Sequence, residues 1–419
     1  MPSQLDFGHA PETIQIWKRL ASEALKAGAS TPFYLFAVDP VRERLSALEA
    51  LDFGLPVTHW LSTKTQPVAP LLRWWREAGR PVEVVSEFEY HAARAEGFAT
   101  DSILINGPAK HLWLPSLAEA GMRVNFDSAG ELEALLPLAR DLGWRCGLRI
   151  CTREEFDPEH STFATQFGFT PDEAREVLPG LLRNGPVPEV LHLHLRTNVS
   201  RAGIYAAALT EALALARETG WQPRVVDLGG GLPHAHTTGR DGKAFDTGMD
   251  LPDLAAQIRR ILGAHPFVEE LWLENGRFVT ASSGILVLKV LDRKQRRGLR
   301  QLICNGGRTM NALVSNWEQH RLEPLEERLG EGVETVVHGP TCMAWDQIAR
   351  QPLPSDLSPG DHLVWFEAGA YHLAWETRFS HGLAAVWWHD EKGLQEARGA
   401  DSFERWWGGW NRTTPDRSA

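Results

Sequence analysis

Apolar residues recur in short, separate runs between positions 57 and 273: Val57 to Leu61, Val82 to Val85, Ile103 to Ile105, Val124 to Phe126, Gly147 to Ile150, Val190 to Leu195, Val225 to Leu228 and Leu271 to Leu273. Each has the length of a strand, and near-continuous apolarity is what strands buried on both faces require. Between most of them the apolar spacing changes to three and four, as in Pro70-Leu71-Leu72-Arg73-Trp74-Trp75 and Glu131-Leu132-Glu133-Ala134-Leu135-Leu136. That spacing predicts helices covering a parallel sheet. Eight strand-helix units in about 240 residues is the arithmetic of a (β/α)8 TIM barrel, with a doubly wound open sheet as the other architecture the alternation permits.

The flanks read differently. Ile14, Trp17, Leu20 and Leu25 predict an amphipathic helix over about 10–30, followed by a strand at Phe33 to Phe36 and a helix over about 40–52. After about residue 280 come apolar runs at Gly284 to Lys294, Leu302 to Asn305, Val333 to His338, His362 to Phe366 and Leu383 to Trp388, with turns and few helices between them. The expected chain is therefore α/β, with a barrel over 36–278 and a mostly antiparallel β-rich domain made of 1–35 and 279–419. Only the tail after about 410 reads as unstructured.

What stands at the end of each barrel run decides between the two architectures. Lys64, Ser86-Glu87, Asn106-Gly107-Pro108, Asp127-Ser128, Arg149, His194, the triplet Gly229-Gly230-Gly231, and Glu274 with Arg277 all follow strands. Barrel enzymes build their sites from the carboxyl ends of several strands, so one ligand touched by many of these is expected. Three glycines after a strand leave bare backbone that can close around an anion, and Arg277 adds a guanidinium.

Composition narrows the class. The 419 residues are 43% hydrophobic and 23% charged, as in an ordinary globular chain. The net charge of -11 speaks against nucleic acid as a partner. No apolar stretch of 18 residues and no basic-then-apolar N-terminus occurs, so the expectation is a cytoplasmic protein without a membrane partner. Cys146, Cys151, Cys304 and Cys342 are widely spaced, which predicts reduced thiols and no metal site. The 17 tryptophans are expected mainly to pack cores and interfaces.

A lysine inside a barrel mouth is costly to desolvate unless used, and one use of Lys64 is a Schiff base with a carbonyl. With an anion cradle opposite, carbonyl and phosphate fit one molecule, pyridoxal 5'-phosphate. Glu274 would keep its pyridine nitrogen protonated so that the ring accepts electrons from the substrate α-carbon. His192 and His194 share a strand face; without a third ligand nearby they read less as a metal pair than as a place where His194 stacks on the ring.

The motifs Ser62-Thr63-Lys64, Ser86-x-x-Glu89, Asn106-Gly107-Pro108-x-Lys110, Asn125-x-Asp127-Ser128-x-x-Glu131, His192-Leu193-His194, Asp227-Leu228-Gly229-Gly230-Gly231, Glu274-x-Gly276-Arg277, Gly339-Pro340-Thr341-Cys342-x-x-x-Asp346 and Gly369-Ala370-Tyr371 stand in one order along the chain. In them the chain resembles the fold-type III, pyridoxal-phosphate-dependent decarboxylases, the group of diaminopimelate, ornithine and arginine decarboxylases, whose barrel is that of alanine racemase. The resemblance implies a homodimer with shared active sites. It also implies cofactor contacts from Lys64, His194, Thr197, Gly229, Gly230, Gly231, Glu274, Gly276, Arg277 and Tyr371. Cys342 of the partner subunit would return a proton to the α-carbon after loss of carbon dioxide. Arg149, Trp317, Glu318, Met343 and Asp346 would meet the substrate.

The chain departs from that pattern beside its cysteine. Diamino-acid decarboxylases of the family carry an acidic residue immediately after it to read a distal ammonium, and here the residue is Met343. Trp317 stands where a tyrosine is usual, Thr65-Gln66 follow the lysine in place of a small residue and asparagine, and no arginine matches the one that reads a distal carboxylate. The expected substrate is a non-standard amino acid with an apolar or conjugated distal end. Delivery on a carrier protein stays open, as do a racemase and a catalytically silent regulatory homologue.

Overall fold

The computed structural model describes residues 11–155, 165–234, 238–239, 248–311, 314 and 318–411. The chain divides into two compact units, one made of Glu43–Ala235 and Asp246–Val279, the other of Met1–Arg42, His236–Phe245 and Thr280–Ala419.

In the first unit all eight apolar runs form strands. Val57–Ser62, Val82–Val84, Ile103–Ile105, Arg123–Phe126, Arg145–Arg149, Val190–His192, Val225–Asp227 and Glu270–Asn275 pair in parallel, each with the next, and the last pairs with the first to close the barrel. Two of the sequence motifs prove to be helix starts. Ser86 Oγ accepts from the Glu89 amide while the Glu89 carboxylate accepts from Val85 N, and Ser128 Oγ accepts from the Glu131 amide. Each satisfies otherwise orphaned amides of a first helical turn.

Trp60, Leu104, Val190, Val225 and Trp272 cluster to plug the barrel interior, with the two indoles 4.8 Å apart. Side chains along a strand repeat their direction every two residues. Two positions further along the same five strands therefore come Ser62, Asn106, His192, Asp227 and Glu274, all buried. The floor of the barrel is apolar, and the layer above it is polar.

The second unit holds a nine-stranded sheet, with Gln347–Pro354, Gly332–His338, Leu299–Cys304, Gly284–Arg296, Phe33–Ala37, Ala385–Asp390 and Gly393–Arg398 in spatial order and Leu322–Pro324 and His362–Trp365 as a branch. Most pairs are antiparallel; Phe33–Ala37 with Ala385–Asp390 and Leu299–Cys304 with Gly332–His338 are parallel. The helix Pro11–Lys26 buries Ile14, Trp17, Leu20, Ala21 and Ala24, one stripe of its surface, in a core shared with Phe33, Leu35, Val287 and Trp387. The strand Gln347–Pro354 lay outside the sequence expectation because it carries Pro352 and Pro354, which a sheet tolerates only at an edge, and an edge is where it lies. A helix at Phe403–Asn411 also occupies ground the sequence left without one. Thr238–Gly239, expected within the barrel, pairs with Glu318–Gln319 and belongs to this unit.

Candidate active site

Lys64 sits on a single turn, Thr63–Thr65, directly after the first barrel strand. Its Nζ is 2.8 Å from Glu83 Oε2 and 3.1 Å from Glu83 Oε1, and Ser62 Oγ donates to the same carboxylate at 2.8 Å. Glu83 is the centre of Val82-Glu83-Val84 and fully buried. No role was assigned to it from sequence, although a lone carboxylate within a buried strand is itself a signal.

On the last barrel strand, which pairs with the strand that leads to Lys64, Glu274 Oε2 stands 2.9 Å from His194 Nδ1, and Glu274 Oε1 stands 3.3 Å from His192 Nε2. Burial alone would push the Glu274 carboxyl up; the imidazoles of His192 and His194 outweigh it and hold the group well below the ordinary range. The third donor beside the histidine pair, invisible in their spacing, is thus Glu274, and the three ligand atoms lie within 4.8 Å of one another. Asn106 Nδ2 joins the two carboxylates, donating to Glu274 Oε1 and, at 3.2 Å, to Glu83 Oε1.

Asp227, also without an assigned role from sequence, is shifted in the opposite direction. Burial and then the Glu274 charge push its carboxyl well above the usual value. Its oxygens receive the Gly229 amide at 2.9 Å and Asn125 Nδ2 at 3.3 Å. Because burial and the Glu274 charge favour the protonated Asp227 carboxyl, whose near-isostere is a carboxamide, Asp227→Asn is expected to change stability by less than about 1 kcal/mol, whereas Asp227→Ala orphans buried donors at about 1–3 kcal/mol each. A raised folded pKa makes the wild-type contribution complete below about 3.9 and progressively lost as pH rises through the folded value. Melting curves taken from about pH 4 upward check both points, with the asparagine variant free of the loss attributable to this group.

The glycine triplet has a stronger constraint than the sequence suggested. A Cβ at Gly229 would stand 2.3 Å from Leu193 O, at Gly230 2.9 Å from Glu274 O, and at Gly231 2.5 Å from Arg196 O. Gly229 and Gly231 also hold φ of 65° and 93°. The loop lies backbone against backbone on the neighbouring strand ends, locked by Tyr205, whose buried hydroxyl donates to Gly230 O at 2.7 Å. Gly276 precedes Arg277, which opens the short helix Arg277–Thr280 and is buried; Thr197 is exposed in the loop after the sixth barrel strand.

Arg149, expected at the substrate, is engaged within the barrel unit. Its Nη2 donates to His194 O at 3.0 Å, Nη1 lies 3.6 Å from Asp127, and the guanidinium covers the Phe167 ring at 4.6 Å. That arrangement holds the strand end carrying His194.

In the β-rich unit, Cys342 is exposed and free, while the other three cysteines are buried and pushed up to about 12, chiefly by burial. Asp346, expected to meet substrate, is buried and accepts from Arg308 N at 2.7 Å, Thr341 N at 3.0 Å and Thr341 Oγ1 at 2.6 Å. Its carboxylate shapes the loop that presents Cys342 and the half-buried Met343. Glu318 is buried with Oε2 3.0 Å from His320 Nε2, and that ring stacks on Trp365. Tyr371 holds a φ of 65°, a conformation that a residue with a side chain rarely adopts. Trp317 lies outside the described residues.

The barrel mouth therefore offers an amine with its own buried counter-ion, a buried carboxylate kept ionised, an imidazole beside it, and a glycine loop near an arginine in sequence. This donor set fits pyridoxal phosphate: an aldehyde for Lys64, a ring nitrogen for Glu274, an anion for backbone amides and Arg277. Among the described residues no helix is long and apolar enough to cross a membrane.

Comparison with known proteins agrees. A diaminopimelate decarboxylase from Deinococcus radiodurans is 29% identical over 84% of this chain and 89% of its own. The L-glutamyl-(BtrI acyl-carrier protein) decarboxylase of Niallia circulans is 23% identical over 84% of this chain and 86% of its own. The fold matches that of M. jannaschii diaminopimelate decarboxylase in complex with L-lysine, with a TM-score of 0.81 at 21% identity and coverage of 94% of both chains. The pyridoxal-binding domain of the pyridoxal-dependent decarboxylases matches residues 40–281, more than half the chain. With the lysine, the buried glutamate and the glycine loop all in place, the chain belongs to the pyridoxal-phosphate-dependent amino-acid decarboxylases.

Proposed function

We propose that this enzyme removes the α-carboxylate of a non-standard amino acid whose distal end is apolar or conjugated to a larger group. When bound, pyridoxal phosphate supplies an electron-poor ring conjugated to the substrate nitrogen, which stabilises the α-carbon's electron pair as carbon dioxide departs. Lys64 Nζ would be the amine that holds the cofactor aldehyde, with Glu83 2.8 Å away to orient it and accept its proton. Glu274 would hold the proton on the ring nitrogen, and His194, 2.9 Å from Glu274, would pack beside the ring. The amides of Gly229 to Gly231 and of Gly276, with Thr197, Arg277 and Tyr371, hold the phosphate. The working form in this reading is a homodimer, in which Cys342 of the partner subunit returns a proton to the α-carbon. Arg149 and Asp346 act by holding the elements that face the substrate, and Met343 with Trp317 lines its far end.

The observation that carries the substrate assignment is Met343 immediately after Cys342. A thioether cannot neutralise a distal ammonium; Asp346 in the same loop accepts from Arg308 N and Thr341, and Glu318 is buried against His320. The Niallia circulans relative is named for a carrier-bound substrate, which supports a conjugated far end and delivery on a carrier protein. Carbon dioxide release from lysine, ornithine, arginine and meso-diaminopimelate is expected to fall at least about 10²-fold below release from Nε-acetyllysine, which lacks the distal charge. Efficient turnover of any of the four overturns the assignment, and an inverted product without carbon dioxide indicates a racemase.

A further inference from the structure

Two buried carboxylates stand near each other at the barrel mouth, on strands separated by the first one, Glu83 as the counter-ion of Lys64 and Glu274 as the partner of the imidazoles. Between them stands one amide. Asn106 Nδ2 donates one hydrogen to Glu83 Oε1 at 3.2 Å and the other to Glu274 Oε1, while Asn106 Oδ1 has no hydrogen-bond partner. Acceptors on both sides fix the orientation, because an oxygen in that place would face two carboxylate oxygens. Only a group with two N–H bonds on one atom can serve both at once. Glu83 comes from the second barrel strand and Asn106 follows the third, its neighbour, while Glu274 lies on the last, which pairs with the first, so the Asn106–Glu274 contact passes over the first and second strands.

We propose that Asn106 is a positioning residue that couples Lys64 to Glu274, so that the charge on the carboxylate facing the ring nitrogen sets how readily the lysine amine gives up its proton. The chain of contacts is continuous: Lys64 Nζ to Glu83 at 2.8 Å, Glu83 to Asn106, Asn106 to Glu274, and Glu274 to His194 at 2.9 Å. The other ionisable groups around this unit are His192, 3.3 Å from Glu274, with Glu89, Asp227 and Arg149 at its edges. None of these bridges the two carboxylates. Low polarity makes each link strong and an unmatched link costly.

The rate at which the full-length, cofactor-stripped chain captures added pyridoxal phosphate, followed by absorbance across pH, reports the midpoint at which Lys64 becomes a neutral nucleophile. Glu274→Gln is expected to shift that midpoint downward in the wild-type background. In Asn106→Leu, close in volume, the same Glu274→Gln change is expected to leave the midpoint in place, and pyridoxal phosphate affinity falls about tenfold. If Asn106→Leu does not accumulate as folded protein, Asn106→Ser, whose hydroxyl carries one proton, replaces it and gives the same loss of coupling. Equal Glu274→Gln shifts with and without Asn106, or no shift in either background, overturn the proposal. The measurement involves no amino-acid substrate, so its failure is separate from failure of the substrate assignment.

Discussion

Lys64→Ala is expected to remove the visible absorption of bound pyridoxal phosphate and to slow carbon dioxide release by roughly 10²–10⁴-fold, the contribution of a positioned proton-transferring side chain. The site is built around this amine: it follows the first strand by one turn, it is partly exposed at 29%, and its counter-ion is wholly buried. Removing it also strands the Glu83 carboxylate without a cation in a dry layer, so the variant is expected to be less stable as well as inactive. Glu83→Gln separates the two effects. It keeps the amine and loses one charge-assisted hydrogen bond, with an expected fall in rate of roughly 10–100-fold and the absorption band retained. Added methylamine is expected to restore part of the Lys64→Ala rate, since the deleted side chain leaves room for a small primary amine. A Lys64→Ala protein that keeps both its band and its rate would assign the aldehyde to another amine.

The barrel was legible because strands buried on both faces must be apolar along their length, and all eight such runs became its strands. The polar layer was legible in the same runs, in a form the reading did not use. Trp60 and Ser62, Leu104 and Asn106, Val190 and His192, Val225 and Asp227, and Trp272 and Glu274 are each two apart, one floor residue and one site residue per strand. Glu83 was passed over because its run was read for apolar content alone. What sequence could not carry was partner choice across the barrel: Glu274 meets His194 from 80 positions away, and Asn106 reaches Glu274 from 168. Arg149 and Asp346 show the same limit, for their backbone partners, His194 O for the one and the Arg308 and Thr341 amides for the other, leave no mark in the spacing. The pairing of Thr238–Gly239 with Glu318–Gln319 is two residues long, too short to leave a periodic trace.

Lys110→Met is expected to destabilise the barrel unit by about 3–5 kcal/mol, the cost of removing one member of a buried ion pair. Lys110 Nζ is 2.6 Å from Glu131 Oε1, and neither side chain has any solvent exposure. Burial lowers the Lys110 pKa, opposed chiefly by the charge and hydrogen bond of Glu131 and further by Asp127. The pair also fixes backbone: Glu131 accepts from Lys110 N and Asp127 N, both at 3.0 Å, tying the loop after the third barrel strand to the start of the helix Ala129–Asp141. Methionine fills much of the volume, so the loss measures charge and not a cavity. For a unit of this size each kcal/mol moves the melting temperature by about 2–4 °C, and the variant is expected to melt roughly 10 °C lower. Glu131→Gln in the Lys110→Met background removes the stranded charge while keeping an acceptor for the amides, and is expected to recover part of that loss. If the double variant is no more stable than the single one, the penalty lies in packing, and the pair at the base of Asn106's loop contributes shape and not charge.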